Sequence, residues 1–350
     1  MAGGVGSRFW PASRERRPKQ FLDILGTGKS LLRLTFERFL GLVPAERILV
    51  VTNEQYRPLV QQELPELADR QILGEPSRNN TAPCVAWTAF HLHQLDPDAN
   101  FVVAPSDHLI LKEQAFLEAL QRALDFTATH DALVTLGIQP VRPDTGYGYI
   151  QYEPEGQQGV HRVVRFTEKP PLEQAKAYLA SGDYLWNAGI FVWRAATVLA
   201  AFAKHAPDIY RILEAGRSAY GTPAEDAFIR QAYPTTPDIS VDYAIMEKAD
   251  NIYTIPADIG WSDLGTWASL HAHLDKDEAG NVLQGNRLIV QDVRDTFVRV
   301  PKDKVAVLRG LDDFIVVDEG DVLLVWPKSE EQAIREVRKE VGARFGKDLI

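Results

Sequence analysis

The sequence has a single cysteine, Cys84, among its 350 residues. One cysteine cannot form a disulfide within the chain and cannot supply a thiolate metal site, which fits a reducing compartment such as the cytoplasm. Long hydrophobic runs are also lacking, because Arg194 interrupts the longest candidate, around GIFVWRAATVLAAF. No segment is therefore long enough to cross a bilayer, and the first residues lack the pattern of a secretory signal. We expect a cytoplasmic protein without a membrane partner.

Positive charge is in deficit as well. The chain has 38 Lys and Arg residues against 48 Asp and Glu residues, which gives a net charge of −10. Nucleic acid is not an expected partner, because binding it needs a broad basic face, whereas a small anion needs only a local basic pocket. With 45% hydrophobic residues, the chain exceeds the size at which one core usually stops growing. This predicts one large domain and a smaller one.

The chain does contain a regular alternation of short apolar runs and amphipathic stretches. The runs RILVV, FVVAP and DALVTLGI predict buried strands at 47–51, 101–105 and 131–138, and a helical pattern covers 113–129. This order predicts an α/β, Rossmann-like domain with a mixed, mainly parallel sheet and helices on both faces. Ligands bind such sheets at the carboxyl ends of the strands, so the residues after each strand are the first site candidates.

The last part of the chain has a different pattern. From about residue 283 to about residue 326, short apolar runs such as FIVVDEG and DVLLVWP follow one another without a helix between them. The stretch EEQAIREVRKEVGARF then predicts a closing helix, with acidic residues early and basic residues late. We therefore expect a large α/β domain over residues 1–275 and a small all-β domain with a C-terminal helix over residues 283–350.

The densest cluster of functional candidates is GGVGSRFWPASRERRPKQF, near the start of the chain. Its glycines can bring backbone N–H groups close to phosphate oxygens, although a tight surface turn explains the glycines alone equally well. No Walker A lysine follows, and Phe9 stands where a dinucleotide-binding loop has its last glycine. The basic residues favour a polyphosphate clamp over a solvated basic face. They are Arg8, Arg14, Arg16, Arg17 and Lys19.

This segment resembles the signature of the sugar-nucleotide pyrophosphorylases. Trp10-Pro11 and residues 18–21 place the resemblance closest to the mannose-1-phosphate guanylyltransferase branch. The resemblance implies a nucleotidyltransferase domain followed by a small β-helix-like unit. In this family a hydrophobic strand precedes the glycine loop, so we expect a form extended upstream of Met1 to be more stable. The residues implied to hold the nucleoside triphosphate are Gly3, Gly4, Gly6, Arg8 and Lys19.

Two aspartates follow apolar stretches, Asp107 in VVAPSDHLI and Asp263 in DIGWSDLGTW. Carboxylate oxygens near bound phosphates suit Mg²⁺, because this cation prefers hard ligands. Each aspartate could instead cap a helix or a turn, Asp263 for a helix beginning near Leu264. The resemblance favours the metal, since it implies that Asp107 and Asp263 bind Mg²⁺ as a pair. The implied catalytic residues are Arg8, Lys19, Asp107, Lys169 and Asp263.

Three further motifs carry candidates for binding a sugar phosphate: RFTEKP, DTGYGYI and LWNAGIFVW. Glu168 and Lys169 stand at a strand end before Pro170, so both side chains can reach one ligand. Without the resemblance, a surface ion pair would be the default interpretation. The resemblance implies that Lys169 contacts the sugar phosphate, and we expect Asp242 and Glu247 to brace the site. The implied substrate-binding residues are Gly146, Gly148, Glu168, Asn187 and Gly189.

The segment EPSRNNTAP matches the family's base-recognition segment least well. Arg78 stands one position early, and Asn79 occupies the place of the usual arginine. The resemblance implies that Asn80 and Thr81 bind the nucleotide. The displaced Arg78 leaves the stringency for base and sugar open.

The resemblance implies an enzyme that makes GDP-mannose and pyrophosphate from GTP and mannose 1-phosphate. The reaction would be a Mg²⁺-assisted, in-line attack on the α-phosphorus of GTP, and the family implies a homodimer. One alternative is another hexose-1-phosphate nucleotidyltransferase, using dTTP, UTP, or GTP with a different sugar. A second is a non-catalytic regulatory homologue that binds a sugar nucleotide. A nicotinamide-binding enzyme is disfavoured by the failed glycine pattern.

Overall fold

The computed structural model describes residues 1–4 and 6–350. Its α-helices, in chain order, are α1 Leu31–Phe39, α2 Arg57–Glu63, α3 Thr81–Leu95, α4 Glu113–Thr129, α5 Leu172–Ser181, α6 Ala195–His205, α7 Pro207–Glu214, α8 Glu225–Ala232, α9 Trp267–His273 and α10 Ile334–Phe345. Its strands are β1 Val50–Asn53, β2 Ile72–Glu75, β3 Asn100–Val103, β4 Leu109–Ile110, β5 Leu133–Ile138, β6 Gly148–Gln157, β7 Val160–Glu168, β8 Tyr184–Arg194, β9 Ile252–Pro256, β10 Trp261–Ser262, β11 Val282–Gln284, β12 Arg287–Gln291, β13 Phe297–Arg299, β14 Val305–Arg309, β15 Phe314–Asp318 and β16 Leu323–Pro327. Within these described ranges, no helix has the length and apolar character that a membrane crossing requires.

By its internal contacts the chain divides into two compact units whose segments alternate along the sequence. The first unit consists of Met1–Gly3, Arg38–Pro105 and Ile110–Trp261. The second unit consists of Gly4–Glu37, Ser106–Leu109 and Ser262–Ile350. The predicted boundary between residues 275 and 283 describes a simpler, sequential division, and it stays a prediction.

A mixed sheet in the order β3-β8-β5-β9-β7-β6 forms the centre of the first unit. Strands β5 and β9 run parallel, with Val134 opposite Tyr253, and β1 and β2 form a separate parallel pair. The other neighbours in the central sheet pair antiparallel, and β6 pairs with β8 as well as with β7. The predicted α/β class and mixed sheet are confirmed, but the described antiparallel pairings outnumber the parallel ones.

This difference from a mainly parallel sheet comes from the middle of the chain. The sequence predicts hairpin and loop structure between about residue 140 and about residue 200, an insertion able to form one wall of a site. Strands β6 and β7 do form a hairpin, and β8 returns beside them, but all three are built into the sheet. A hairpin is antiparallel by its connection, so its incorporation changes the balance of the pairings.

Helices cover both faces of the sheet, as the alternating pattern predicts. On β8, Phe191 and Trp193 face a hydrophobic cluster that includes residues of α3 and α6. The alternate residues Ile190 and Val192 belong to a second cluster, which includes residues of α4. Because successive side chains of a strand point to opposite faces, this division places one helical layer on each side.

The first residues of the chain lie beside two strands of the first unit. The backbone N–H of Ala2 donates to the carbonyl oxygen of Val51 at 2.7 Å, and the Thr52 hydroxyl donates to the carbonyl oxygen of Ala2 at 2.9 Å. The amino group of Met1 donates to the carbonyl oxygen of Ala104 at 2.8 Å. These bonds fix the backbone that leads into the glycine loop. Greater stability of an upstream-extended form stays a prediction.

The second unit contains a β-helix-like stack. Strands β11, β13 and β15 pair parallel in sequence order, β12 pairs parallel with β14, and β16 closes the stack antiparallel to β15. Small apolar side chains such as Val298, Val316 and Leu308 fill its interior. The predicted all-β region, its β-helix-like form and the closing helix α10 are confirmed.

The second unit's main core joins the signature segment to this β region. Phe9, Trp10, Trp267 and Phe297 are buried in one cluster, with ring centroids 4.8 Å apart for Phe9 and Trp267 and 5.1 Å apart for Trp267 and Phe297. The Trp267 indole N–H donates to the carbonyl oxygen of Trp10 at 3.2 Å. Aromatic packing of this kind fixes the backbone on which Arg8 and Lys19 stand.

Candidate active site

The glycine loop and Lys19 pack directly against each other in the second unit. Gly4 and Gly6 have φ angles of 86° and 70°, left-handed values that favour glycine. A Cβ atom on Gly6 would lie 2.5 Å from the Cβ atom of Lys19, closer than two non-bonded carbon atoms can approach. The Lys19 ammonium also lies 5.5 Å from the centroid of the Phe9 ring. Glycine at position 6 therefore has a packing role as well as the predicted amide–phosphate role.

Lys19 connects the two predicted metal-binding aspartates. Its Nζ donates to Oδ2 of Asp107 at 3.0 Å and to the backbone carbonyl oxygen of Asp263 at 2.8 Å. The Lys19 side chain is only 4% exposed, and that of Asp107 is 32% exposed. Residues 88 and 244 positions away from Lys19 along the chain therefore meet at a single ammonium group.

The charge of Lys19 determines how Asp107 ionises. Burial acts to raise the pKa of Asp107, but the Lys19 charge and its hydrogen bond outweigh burial, so this pKa lies below its ordinary value. Asp107 is therefore a carboxylate at neutral pH, as a metal ligand must be.

The alternative role as a helix cap is wrong for both aspartates, although Asp263 does cap a turn. Helix α9 begins at Trp267, and its N-cap is Thr266, whose side chain accepts the Ser269 N–H. Asp263 instead accepts the Gly265 N–H on Oδ1 at 3.1 Å. No helix begins near Leu264, because that residue has a left-handed φ of 44°. Asp107 is equally remote from a cap, since α4 begins only at Glu113.

The donor set of Asp107 and Asp263 fits a divalent cation that is bound together with a phosphate ligand. Both side chains offer hard oxygen atoms, and Mg²⁺ commonly takes one or two protein carboxylates and completes its shell with water and phosphate oxygens. Across residues 1–4 and 6–350, no group of three or more His, Cys, Asp or Glu side chains could hold a metal ion without such help. The chemistry of the pair therefore suits a divalent cation.

The basic residues of the signature differ in the partners that they have within the protein. Arg14 is buried and forms a two-pronged bond to Asp321, at 2.6 Å from Nη1 to Oδ2 and 2.5 Å from Nη2 to Oδ1. Arg16 is 66% exposed and lies 3.8 Å from the same carboxylate. The buried Nε of Arg8 has no hydrogen-bond partner among the described residues. Arg14 therefore anchors the segment, whereas Arg8 keeps donor capacity for a ligand.

In the first unit, the predicted sugar-binding residues Gly148, Glu168 and Asn187 meet around one point. A Cβ atom on Gly148 would lie 2.6 Å from Oε2 of Glu168 and 3.2 Å from Cβ of Asn187. Both polar side chains are largely buried. Only a glycine leaves room for their functional groups to lie beside the β6 backbone.

The amide of Asn187 is held in one orientation by its neighbours. Its Oδ1 accepts the Thr135 hydroxyl at 2.8 Å and the Gly189 N–H at 3.1 Å. Its Nδ2 donates to Oδ1 of Asp242 at 2.9 Å. Gly189 has a φ of 67°, which lets its N–H turn back toward this amide. An amide fixed at both ends can present its remaining hydrogen to a ligand without reorganising.

Thr135 is a contributor that the sequence does not reveal. It stands in the buried strand β5, and its single hydroxyl hydrogen is shared between Oδ1 of Asn187 at 2.8 Å and the carbonyl oxygen of Ile190 at 3.1 Å. The only local signal is one hydroxyl inside the apolar run DALVTLGI, which indicates a core position as readily as a site. Its role depends on the pairing of β5 with β8.

Lys169 and Glu168 form a pair at the end of β7. Lys169 Nζ donates to Oε1 of Glu168 at 2.6 Å, and the Glu168 N–H donates to Oε1 of Glu247 at 2.8 Å. Lys169 has a left-handed φ of 47°, a conformation that costs free energy for a residue with a side chain. The strand ends here, as the sequence predicts, and Glu247 and Asp242 contact the cluster in the bracing positions expected of them.

Burial perturbs the carboxylates of this cluster. Burial, followed by the nearby Asp242 carboxylate, raises the pKa of Glu168, and burial also raises the pKa of Asp242. Burial alone would lower the pKa of Lys169, but its hydrogen bond to Glu168 outweighs burial and raises that pKa. The cluster thus holds more negative charge than its own cation neutralises easily.

Gly146 lies apart from this cluster. It is exposed, and its N–H donates to Oδ1 of Asp144 at 2.8 Å. The adjacent Tyr147 packs edge-on against Trp186, with centroids 5.1 Å apart, and against Trp261, with centroids 5.3 Å apart. The loop that carries Gly146 and Tyr147 is therefore held by an aromatic cluster. Among the described residues, Gly146 itself contacts none of the other predicted sugar-binding side chains.

The base-recognition segment has structural partners for part of its length. Asn80 is exposed with a φ of 67°, and its side chain accepts the Thr81 N–H at the start of α3. Arg78 donates to the Tyr56 hydroxyl at 3.0 Å. Asn79, at the place of the usual arginine, is buried and donates to the carbonyl oxygen of Thr236 at 2.7 Å. Asn79 therefore has a packing role.

Gly3 is the predicted loop glycine that lies in the first unit, and its surroundings leave room for a side chain. A Cβ atom on Gly3 would lie 4.0 Å from Oε2 of Glu75, an ordinary contact. Nothing in its environment requires glycine, so its predicted role depends on amide contact with a ligand.

Comparison with known proteins places the chain in one family. The sequence model of the nucleotidyl transferase family matches residues 1–280. The chain is 37% identical over 351 residues to mannose-1-phosphate guanylyltransferase 2 of Escherichia coli O157:H7, a match that covers 96% of this chain and 71% of that protein. It is 38% identical over 341 residues to a mannose-1-phosphate guanylyltransferase of Klebsiella pneumoniae, covering 96% of this chain and 71% of that protein.

Solved structures agree with this placement. A crystal structure from Thermus thermophilus, described as a mannose-1-phosphate geranyltransferase, superposes with a TM-score of 0.88 at 33% identity and covers 97% of each chain. A structure from Helicobacter pylori, described as a mannose-6-phosphate isomerase, superposes with a TM-score of 0.61 at 31% identity over 71% of this chain and 96% of that one. The chain therefore belongs to the nucleotidyl transferase family and, within it, to the mannose-1-phosphate guanylyltransferases.

Proposed function

We propose that this chain transfers a guanylyl group from GTP to mannose 1-phosphate, which yields GDP-mannose and pyrophosphate. Membership of the mannose-1-phosphate guanylyltransferases supports the reaction and its substrates. The observation that carries the proposal is the meeting of Lys19 with Asp107 and Asp263 in one unit. Phosphoryl transfer depends on positive charge positioned near the phosphates, and this ordered lysine beside two aspartates can supply it together with a bound metal ion.

The triphosphate is bound, in this proposal, by the signature segment. The amides of Gly3, Gly4 and Gly6 contact phosphate oxygens, and Arg8 and Lys19 supply positive charge. Asp107 and Asp263 would hold Mg²⁺, which supplies further neutralisation of the phosphate charge when it is bound. The lysine is already ordered by two hydrogen bonds, so little side-chain entropy is lost when it exchanges a protein oxygen for a phosphate oxygen.

The sugar phosphate is bound by the cluster of the first unit. Lys169 contacts its phosphate, while Glu168, Asn187 and the backbone of Gly146, Gly148 and Gly189 contact its hydroxyl groups. A hexose presents both donors and acceptors, and the fixed Asn187 amide together with the Glu168 carboxylate offers both in return. Asn80 and Thr81 contact the nucleotide.

The chemistry needs positioning and charge stabilisation more than proton transfer. An oxygen of the sugar phosphate attacks the α-phosphorus of GTP, the bond to the β-phosphate oxygen breaks, and pyrophosphate leaves with its electron pair. The nucleophile is already ionised at neutral pH, so no general base is needed. Arg8 and Lys19 stabilise the charge that gathers on the leaving pyrophosphate.

The test is a pyrophosphate-release assay with a panel of nucleotides and sugars. GTP with mannose 1-phosphate is expected to give the highest kcat/KM, and dTTP, UTP and glucose 1-phosphate are the comparison arms. Preference for another pair would assign the chain a different hexose-1-phosphate nucleotidyltransferase activity. Binding of GDP-mannose without any turnover would instead favour a regulatory role.

We also propose that the chain acts as a homodimer, as the family resemblance implies. Light scattering coupled to size-exclusion chromatography measures this directly. The chain mass is 39.2 kDa, so a particle of that mass at micromolar concentration contradicts the proposal.

A further inference from the structure

The C-terminal helix α10 is fastened to the signature segment within the second unit. Ile334, at the start of α10, is fully buried in the same cluster as Phe9. Beyond the helix, the carbonyl oxygen of Leu349 accepts the Trp10 indole N–H at 2.8 Å, and that of Ile350 accepts the Glu15 N–H at 3.0 Å. Helix α10 therefore lies at a fixed position relative to the turn Ser7–Phe9.

This packing brings together two elements that each carry an arginine, the turn Ser7–Phe9 and helix α10. Arg8 precedes Phe9 in the chain, and Arg335 follows Ile334. Phe9 and Ile334 are buried in the same hydrophobic cluster. Arg335 is exposed and forms no ion pair or hydrogen bond with any residue of the described ranges. The buried Nε of Arg8 likewise has no hydrogen-bond partner there. The two arginines therefore stand on contacting elements of the second unit, and neither forms an ion pair with a described residue.

The electrostatics of the pair agree with this placement. Burial and, after it, the Arg8 charge lower the pKa of Arg335, which means that the two cations repel each other. A third arginine, Arg338, lies one turn further along α10, and its buried Nε also has no hydrogen-bond partner among the described residues. Its Nη2 lies 3.5 Å from Oε1 of Glu15.

The Glu331 carboxylate also lies near this group, but it is engaged elsewhere. Oε2 of Glu331 accepts the Ala268 N–H at 2.9 Å, in the first turn of α9. Burial raises the pKa of Glu331, although the nearby Arg8 charge acts against burial. Glu331 forms no ion pair with Arg8 or Arg335 within 4.0 Å in the described part of the chain. The local excess of positive charge is therefore left for an anion.

We propose that Arg335 is a phosphate-binding residue of the nucleotide site and that it acts with Arg8 on the polyphosphate chain of GTP and on pyrophosphate. A pair of planar guanidinium groups suits an anion with several oxygen atoms on adjacent phosphorus atoms. The β-rich region and its closing helix then supply a ligand-contacting group, in addition to supporting the signature segment. This inference rests on the proposed function, because it extends the predicted triphosphate site.

Inorganic tripolyphosphate is the probe, because it tests phosphate binding without the base, the sugar or turnover. Its affinity is measured by calorimetry for the full-length chain and for Arg335→Gln, Arg335→Lys and Arg8→Gln. The control is Arg344→Gln, which removes the same charge from the same helix at a side chain that is 68% exposed and paired with Glu340 at 2.9 Å. The thermal midpoint without ligand shows whether each variant folds.

Arg335→Gln is expected to weaken tripolyphosphate binding about tenfold or more, as the loss of a charge-assisted contact implies. Arg335→Lys keeps the charge but not the fork, so it should recover part of that affinity. Arg344→Gln should stay within about twofold of the unmodified chain. In turnover, Arg335→Gln should raise the KM for GTP and leave the KM for mannose 1-phosphate unchanged.

Two outcomes overturn the inference, and they differ in what else they affect. If Arg335→Gln binds tripolyphosphate as tightly as the unmodified chain while Arg8→Gln does not, Arg335 has no part in the site and the proposed function stands. If the unmodified chain neither binds tripolyphosphate nor releases pyrophosphate from GTP, the inference and the proposed function fail together. Should Arg335→Gln fold poorly, Arg335→Lys decides, because its retained charge preserves the helix surface while changing the contact geometry.

Discussion

Replacing Lys19 by methionine is the sharpest single test of the phosphate site. Methionine keeps most of the side-chain volume, so the packing against Gly6 and Phe9 is largely retained, while the ammonium group is lost. The Asp107 carboxylate and the Asp263 carbonyl oxygen both lose their bonds to Nζ, which are 3.0 Å and 2.8 Å long. The substitution therefore separates the charge of Lys19 from its volume.

The structure sets the expected size of the effect on stability. Removing one partner of a fully buried ion pair costs about 3–5 kcal/mol, but Asp107 is 32% exposed and water can solvate part of its charge. We therefore expect a loss of about 1–3 kcal/mol in the free energy of unfolding at neutral pH. Activity should fall more, by about 10²–10³ in kcat/KM, as when one preorganised donor to a developing charge is removed.

The pH dependence gives an independent check. The Lys19 charge depresses the pKa of folded Asp107, so the pair stabilises the fold above the unfolded pKa of about 3.9 and loses this effect as pH falls through the folded pKa. The difference in unfolding free energy between the unmodified chain and Lys19→Met should therefore be largest near neutral pH and shrink below about pH 4. Urea unfolding at several pH values measures it.

Lys29→Met is the matched control. Lys29 is 48% exposed and pairs with Glu37 at 2.7 Å, so its removal should cost no more than about 1 kcal/mol and leave kcat/KM unchanged. If Lys19→Met keeps kcat/KM within about twofold of the unmodified chain, Lys19 takes no part in charge stabilisation. A pH-independent stability difference would contradict the assigned interaction with Asp107.

Three other predictions concern the first unit. Gly148→Ala should raise the KM for mannose 1-phosphate by about tenfold or more in the pyrophosphate assay, because its Cβ would lie 2.6 Å from Oε2 of Glu168. Asp242→Asn should raise the thermal midpoint more at about pH 8 than at about pH 5, because the raised pKa values of Asp242 and Glu168 make the folded state lose stability as pH rises through them. Asn80→Ala should lower the unfolding free energy by about 1–2 kcal/mol in urea titrations, and Asn80→Gly by less, because glycine tolerates the φ of 67° at this cap.

The sequence pattern predicted the bounds of elements whose ends depend only on neighbouring residues. The amphipathic stretch 113–129 is α4, Glu113–Thr129, with the same bounds. The predicted strand 47–51 is less accurate, since the chain first forms a 3₁₀ turn at Ala45–Arg47 and β1 begins only at Val50. Ile48 and Leu49 continue the apolar run in the sequence, but they lie between the turn and the strand and are not paired in the sheet.

Long-range packing accounts for most of what the sequence did not predict. The burial of Phe9 and Trp10 with Trp267 and Phe297 joins positions from both ends of the chain. No periodicity within one segment contains that information, because each aromatic residue alone is equally consistent with several cores. The same applies to Arg335, whose helix was predicted but whose neighbour, Arg8, lies more than three hundred positions away.

The site residues were predicted by type and position, while their partners were not. The sequence identified Asp107, Asp263 and Lys19 separately, but it gave no sign that Lys19 would bind a backbone oxygen of Asp263. The residue after Asp263, Leu264, has a left-handed φ of 44°, a conformation that a residue with a side chain rarely adopts and that the sequence does not announce. Thr135 was missed for a related reason, since its role is fixed by strand pairing.

The internal pairing of charges explains how an acidic chain can bind highly charged phosphates. In the second unit Lys19 is paired with Asp107, and in the first unit Lys169 is paired with Glu168. Each cation is thus held in place by a carboxylate, and a phosphate competes with that carboxylate for an ordered side chain. Ordering a free lysine at the moment of binding would cost rotamer entropy. Arg8 and Arg335 lack such pairing. In the proposal, their uncompensated charge favours the binding of a polyphosphate over the retention of the carboxylate contacts.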